Sequence, residues 1–158
     1  MTAQPSHPES FVEKFTDFWR APSPQRIPEI LHDEVVLTQP LAPPMYVIEA
    51  AKAEFARIWN WLPDLRASID RWSGQDDVVF VEFRLHAHVG GDTIEWPNVD
   101  RFFLRGDKAV ARMNYFDPLA VLPRVARHPS LWLRWATSGA ARPWRTGHRI
   151  ADYPRTQP

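Results

Sequence analysis

Three polar side chains on two neighbouring predicted strands could carry out proton transfer. Asp100 stands in the alternating stretch "WPNVDRFF", and Arg112 and Asn114 stand in "AVARMNYF", which follows a short turn. Desolvation among aromatic side chains raises the pKa of a carboxyl toward the range useful to a general base. Alternatively, Arg112 compensates the charge of Asp100, and the two form an inert buried pair. The residue types leave both interpretations open.

The two-residue period of a β-strand sorts these side chains by face. On the first strand, one face carries Trp96, Asn98, Asp100 and Phe102. On the second strand, Arg112, Asn114 and Phe116 alternate in the same way. Each strand therefore presents polar groups together with aromatic ones on a single face.

A second polar row lies on the long predicted strand 78–89, where Glu82, His86 and His88 share a face. Two histidines two residues apart can reach one metal ion. Glu82 is too distant to join them, because a strand rises about 3.3 Å per residue. We expect no metal site, and expect this row to face a partner or solvent. An inverted face assignment would instead bring His86 or His88 into the interior as a candidate acid or base.

The elements that must position these residues follow from periodicity. Aromatic residues at helical spacing, with Ser10 as a candidate cap, predict a helix over 8–20, and a shorter helix precedes the strand "EVVLTQP". A further helix is predicted from Tyr46 to Leu62. The period then changes to two, which predicts strands over 64–72, 78–89, 93–104 and 109–116.

Short connections make these four strands an antiparallel meander. Helices followed by a long, curved meander predict an α+β fold in which a cone-shaped antiparallel sheet wraps onto the N-terminal helices. Strands of this length must curl, and a curled sheet with helices across its mouth encloses a cavity. Broken helical segments follow Pro118. We divide the chain into one domain, 1–135, and an extended tail, 136–158, in which Trp144 and Tyr153 could clasp a neighbour.

Composition narrows the possible partners. The 19 basic and 19 acidic side chains balance, which argues against nucleic acid binding. No apolar run is long enough for a membrane span, and no signal sequence is recognisable at the start, so we expect a cytoplasmic protein without membrane contact. The 8 Trp and 9 Phe suggest an aromatic-lined cavity or interface, although a bulky core would need the same residues.

Three stretches in order carry a family resemblance: "QPLAPP" at 39–44, "LPDL" at 62–65 and "VDRFFLRGDKAVARMNYFD" at 99–117. Over residues 10–122 the chain resembles the nuclear transport factor 2-like superfamily, in the branch of SnoaL-like polyketide cyclases and limonene epoxide hydrolases. The resemblance implies a cone-shaped α+β barrel with a deep hydrophobic pocket and a homodimer through the convex sheet face. The superfamily contains enzymes and non-catalytic binders, so the fold does not decide the function.

The resemblance also implies a site. It turns the faces of Asp100, Arg112 and Asn114 into the pocket, and SnoaL-like members use an Asp near this place to take a proton beside a carbonyl. We expect these three to be the catalytic residues. The expected substrate-binding residues are Trp19, Gln39, Tyr46, Phe55, Trp59, Trp96, Asn98 and Phe116.

Epoxide hydrolysis is disfavoured, because those enzymes use an acid, arginine, acid set. Here Asn114 replaces one acid, and Phe83 and Leu85 stand where the resemblance would place the other two groups. We therefore expect a cyclase or isomerase that needs no cofactor and acts on a hydrophobic carbonyl compound, with Asp100 as the base. The alternative is a protein that binds a hydrophobic small molecule without catalysis.

Overall fold

The computed structural model describes residues 7–89 and 91–141, which form an α+β fold with one six-stranded sheet. The strands, in chain order, are β1 Leu31–Thr38, β2 Met45–Tyr46, β3 Arg66–Gln75, β4 Val78–Val89, β5 Asp92–Arg105 and β6 Lys108–Tyr115. The helices are α1 His7–Arg20, α2 Ile48–Trp61, α3 Pro118–Ala126 and α4 Pro129–Ser138, with a 3₁₀ helix at Pro24–Glu29. The predicted fold class is confirmed.

The sheet runs in the order β2-β1-β6-β5-β4-β3. Strands β3 to β6 form the predicted antiparallel meander, in which each strand pairs with the next. Strand β1 adds a feature that alternation along the chain did not predict, because it pairs in parallel with β6 and antiparallel with the short β2. This crossover places the loop after β1 beside the end of β6, where Arg112 and Asn114 lie.

Burial along β5 alternates as the two-residue period requires. From Ile94 to Leu104 every second side chain is buried, and the residues between them are exposed or partly exposed. The turn to β6 contains Gly106 at φ 65°, a left-handed conformation that glycine adopts without a steric penalty. The register then sets Asp100 directly opposite Asn114 and Phe102 opposite Arg112.

The main core lies between α1 and the inner face of the sheet. Phe15 of α1 packs with ring centroids 5.9 Å from Phe83 and 5.3 Å from Phe102. Phe11 lies 4.7 Å from Phe102 by the same measure. The helix includes His7, so Ser10 lies within its first turn and is not the cap that the sequence suggested. The aromatic spacing, however, identified the buried face correctly.

Two helices after the meander cover one end of the sheet. Asp117 caps α3, since its side chain accepts a hydrogen bond from the Leu119 backbone amide at 2.9 Å. Leu131 of α4 is 1% exposed and belongs to a second core cluster with Leu62 and Trp96. Helix α4 continues to Ser138, so residues 136–138 are helical where an extended tail was expected. Residues 142–158, with Trp144 and Tyr153, lie outside the described residues.

None of the described helices is long and apolar enough to cross a bilayer.

Candidate functional site

An apolar cavity of about 680 Å³ opens between α2, the sheet and the two C-terminal helices. Helix α2 contributes Phe55, Ile58 and Trp61 to its wall, and the sheet contributes Leu85 and Trp96. Helices α3 and α4 close it with apolar residues: Val121, Leu122, Val125, Ala126, Trp132, Trp135 and Ala136. A cavity of this size and lining is typical of small-molecule sites.

Four polar side chains gather at the β5–β6 part of the cavity, and we call Asn98, Asp100, Arg112 and Asn114 the polar cluster. All four are buried, with Asp100 completely inaccessible. Arg112 Nε donates to Asp100 Oδ2 at 2.6 Å, and Asn114 Nδ2 donates to Asp100 Oδ1 at 2.7 Å. Both oxygens of the carboxylate are therefore occupied by donors from the neighbouring strand.

The amides of the cluster extend this network along β5. Asn114 Nδ2 also lies 3.3 Å from Asn98 Oδ1, and Asn98 Nδ2 donates to the Trp96 carbonyl at 3.1 Å. Because Asn98 and Asn114 both line the cavity, the network reaches its surface through amides rather than through the carboxylate. Within the described residues no donor reaches Asn114 Oδ1, which leaves that oxygen available to a ligand.

Arg112 is held from three sides. Besides Asp100, its Nη1 lies 3.4 Å from Gln39 Oε1, in the loop after β1. Its guanidinium carbon sits 5.9 Å from the centroid of the Phe55 ring, within cation–π range. Arg112 lines the cavity, and Nη2 is the nitrogen of its guanidinium for which the described residues supply no acceptor.

The electrostatics of Asp100 are set by two opposing effects. Complete burial raises the pKa of its carboxyl above the ordinary value of 3.8. The charge of Arg112 and the hydrogen bonds from Arg112 and Asn114 oppose this rise without cancelling it. The sequence left open whether Asp100 is a desolvated base or an inert partner of Arg112, and the structure shows a fully buried carboxyl that is also paired with that arginine.

Asp100 does not itself form part of the cavity wall. Arg112 and Asn114 line the cavity, while Asp100 is bonded to both of them and has no accessible surface. The carboxylate accordingly lies in a layer behind the residues that a ligand would touch. Contact between Asp100 and a ligand requires one of its two partners to move.

The structure places most of the predicted binding residues in the cavity wall: Trp19, Gln39, Phe55, Trp96, Asn98 and Phe116. Two predicted residues lie elsewhere. Trp59 packs against the core aromatics, with its ring 5.5 Å from Phe55 and 6.5 Å from Trp19. Tyr46 is 57% exposed and outside the wall, because β2 carries it to the edge of the sheet.

Sequence reasoning missed Glu54 and the contribution of α3 and α4. Glu54 is 6% exposed and lines the cavity from α2. Its position could have been found, since Ala51, Glu54, Phe55 and Ile58 follow the spacing of one helix face. The residues of α3 and α4 gave a weaker signal, because Pro123 and Pro129 interrupt their helical pattern.

The histidine row lies on the outer side of the sheet, as the face assignment predicted. His88 is largely exposed, and its Nδ1 lies 2.7 Å from Asp64 Oδ2. The described ranges, 7–89 and 91–141, contain no group of three or more acidic, His or Cys side chains able to hold a metal ion.

Comparison with known proteins places this site in a family. The model of the SnoaL-like domain matches residues 12–112. A comparison with curated proteins found no match. Similar solved structures include a provisionally assigned SnoaL-like polyketide cyclase from Jannaschia sp. CCS1, at 18% identity and a TM-score of 0.67, covering 82% of this chain and all of that one.

Two further structures show the same fold. TerC, crystallised with polyporic acid, has 19% identity and a TM-score of 0.69, and the match covers 77% of this chain and 99% of that one. IdmH from Streptomyces antibioticus, provisionally assigned as a polyketide cyclase, has 12% identity and a TM-score of 0.65, with the same coverage. Since the family model spans well over half of the residues, this chain belongs to the SnoaL-like domain family, as its resemblance to the nuclear transport factor 2-like superfamily implied.

Proposed function

We propose that the chain is an enzyme of the cyclase or isomerase kind, which acts on a hydrophobic carbonyl compound without a cofactor. The observation that carries the proposal is the concentration of polar atoms: a largely apolar cavity has Arg112, Asn114, Asn98 and Gln39 together in one part of its wall, with a desolvated carboxylate behind them. Such an arrangement fits a ligand whose carbonyl oxygen binds at the polar cluster while its rings fill the apolar remainder.

The proposed reaction begins with Asp100 as the base. A ligand carbonyl binds Arg112 Nη2, and Asn114 releases Asp100 Oδ1. The C–H bond next to the carbonyl breaks, its proton passes to Asp100, and its electron pair moves to the carbonyl oxygen as an enolate. Arg112 stabilises that negative charge. In an isomerisation, a C=C bond conjugated with the enolate shifts, and Asp100 returns the proton at its far carbon. In a cyclisation, the enolate carbon bonds to a second carbonyl carbon of the same molecule, the π bond of that carbonyl breaks, and its oxygen takes the proton from Asp100.

Burial supports this role for Asp100, because a raised pKa makes a carboxylate a stronger base. No step requires a group other than these side chains and the substrate.

A second candidate, a non-catalytic binding protein, is favoured by a different observation. Both oxygens of Asp100 are already hydrogen-bonded, and its side chain has no accessible surface. In this alternative Asp100 only compensates the charge of Arg112, and the polar cluster fixes one end of a bound hydrophobic molecule.

Deuterium exchange into 2-tetralone separates the two candidates. This fused-ring ketone has acidic protons next to its carbonyl, and NMR in D2O follows their replacement directly. We expect the wild-type protein to accelerate exchange and Asp100→Asn to lower the rate by about 10²-fold or more, the usual contribution of a general base. Asn keeps the shape of Asp, so ligand affinity should change far less than the rate.

The other outcomes decide against parts of the proposal. Binding of 2-tetralone without accelerated exchange in the wild-type protein would favour the binding protein. Equal exchange rates for the wild type and Asp100→Asn would remove Asp100 as the base. A matched control is Asp70→Asn, since Asp70 pairs with Arg84 on the outer side of the sheet and should leave the rate unchanged.

A further inference from the structure

Glu54 is the second charged residue in the cavity wall. Of the wall residues among the described ones, only Glu54 and Arg112 carry a formal charge. Arg112 belongs to β6 and the polar cluster, whereas Glu54 belongs to α2. An amphipathic helix ordinarily keeps an ionised residue on its solvent face, because removing a carboxylate from water is costly. The side chain of Glu54 is instead 8% exposed.

The ion pair of Glu54 leaves half of its carboxylate without a donor. Arg57 Nε and Nη2 lie 2.8 Å and 2.7 Å from the same oxygen, Oε2. Within the described part of the chain no donor reaches Oε1. Ion pairs three residues apart on a helix usually have both members on its exposed surface. Here the arginine is 42% exposed and the glutamate is buried in the wall, so the anion faces inward and the cation outward.

The junction of α2 and α4 fixes this geometry. A Cβ added to Gly139, which ends α4 at φ 75°, would lie 3.3 Å from Arg57 Cδ. Arg57 thus packs against the C-cap of α4, while its guanidinium holds Oε2. The cavity wall next to α2 is completed by Trp135 and Ala136 of α4. Glu54 is therefore held by one oxygen, in a fixed place, with the other oxygen left for a ligand.

We propose that Glu54 binds a hydrogen-bond donor of the ligand, a protonated amine or a hydroxyl group, while the polar cluster binds an oxygen acceptor of the same molecule. The inference rests on the proposed function in one respect, that the cavity is the ligand site. The cavity would then have two charged binding positions. Arg112 on β6 selects for a hydrogen-bond acceptor of the ligand, and Glu54 on α2 selects for a donor. A purely apolar molecule would satisfy neither charge.

Three naphthalene probes of similar shape test this directly. They are 2-naphthylmethylamine, which is cationic at neutral pH, 2-naphthylmethanol, which carries a hydroxyl, and 2-methylnaphthalene, which has no polar group. Dissociation constants come from isothermal titration of the full chain. We expect Glu54→Gln to weaken the amine by at least about tenfold and the alcohol by a smaller factor, with 2-methylnaphthalene unchanged.

A second variant distinguishes ligand binding from a structural role. Arg57→Gln removes the competing cation and leaves Glu54 in place, so it should strengthen binding of the amine. If Glu54 only supported the fold, breaking the pair from either side would weaken all three probes alike. Thermal unfolding of each variant shows that the compared proteins are folded.

The binding data distinguish a wrong role for Glu54 from a wrong ligand site. If the apolar probe binds and the amine binds equally to the wild type and Glu54→Gln, the role of Glu54 is wrong while the cavity remains the ligand site. If none of the probes binds the folded wild-type protein, the ligand site itself is wrong, and the proposed function falls with it.

Discussion

The buried ion pair of Asp100 and Arg112 has a part in the proposed reaction and also contributes to the stability of the fold. Arg112→Met keeps much of the apolar volume but leaves the Asp100 carboxyl buried without a cation. Because the charge of Arg112 lowers the Asp100 pKa, its removal raises that pKa further. A buried acid with a raised pKa favours folding most when it is protonated, so the stability of the variant should fall as the pH rises from 3.8 through the raised value.

We expect Arg112→Met to lower the free energy of unfolding by about 3 kcal/mol at slightly alkaline pH and by much less in mild acid. Urea denaturation across this pH range measures the difference. Arg84→Met is the matched control, because Arg84 pairs with Asp70 on the exposed side of the sheet and should show little pH dependence above the ordinary Asp range. A loss for Arg112→Met that is constant with pH would contradict the buried pair as described.

The β5–β6 register shifts by one between Phe103 and Leu104, and this irregularity sets Asp100 opposite Asn114, where a count from the turn would give Met113. The family resemblance, not the turn, turned the two strand faces into one pocket. Residue types and alternation sorted the side chains of each strand by face but did not fix the pairing between the strands. They could not show that Asp100 lies behind its partners. That depends on side-chain direction and on which donor reaches which oxygen, neither of which is encoded in spacing. Tyr46 was misplaced for a related reason: the two-residue strand β2 has no periodicity of its own, and it turns this side chain to the sheet edge.

Helices α3 and α4 act as the cover of the cavity, and one buried side chain holds that cover in place. Leu131 is 1% exposed and packs in the cluster that includes Leu62 and Trp96. Leu131→Ala should lower the free energy of unfolding by about 2–4 kcal/mol, the usual effect of deleting a buried leucine side chain. Urea denaturation measures this change.

An exposed leucine of α4 supplies the control for Leu131→Ala. Leu133 is 71% exposed, so Leu133→Ala should stay within about 0.5 kcal/mol of the wild type. Hydrogen exchange should also quicken in α4 of the Leu131→Ala variant before it quickens in β4 and β5. Equal effects of the two substitutions would mean that α4 does not pack on the sheet as the structure shows.

The long elements were predictable because each carries many turns or alternations of one period. The predicted β4 bounds, 78–89, match the strand, and the helix predicted from Tyr46 to Leu62 is observed as Ile48–Trp61. The parallel pairing of β1 with β6 was not predictable from local pattern, since it joins residues far apart in sequence. Helices α3 and α4 were also hard to predict, because their prolines are compatible with the start of a helix as well as with a break.

The whole molecule presents two surfaces with different expected partners. The inner face surrounds the cavity, and the outer face of the sheet carries exposed Phe80, Val99 and Tyr115. We propose that a second copy of the chain covers this outer face, as the family resemblance implied. Sedimentation equilibrium should then give twice the monomer mass, and Tyr115→Lys should lower it toward the monomer. A monomer at all accessible concentrations would exclude this arrangement.

The proposed function requires that the cavity hold a hydrophobic ligand with its oxygen at Arg112. A crystal structure of the protein with 2-naphthoate tests this claim most directly. We predict that one carboxylate oxygen lies about 3 Å from Arg112 Nη2 and that the rings lie between Trp61, Trp96 and Val121. Naphthoate bound only outside the cavity, or with its carboxylate turned away from Arg112, would contradict it.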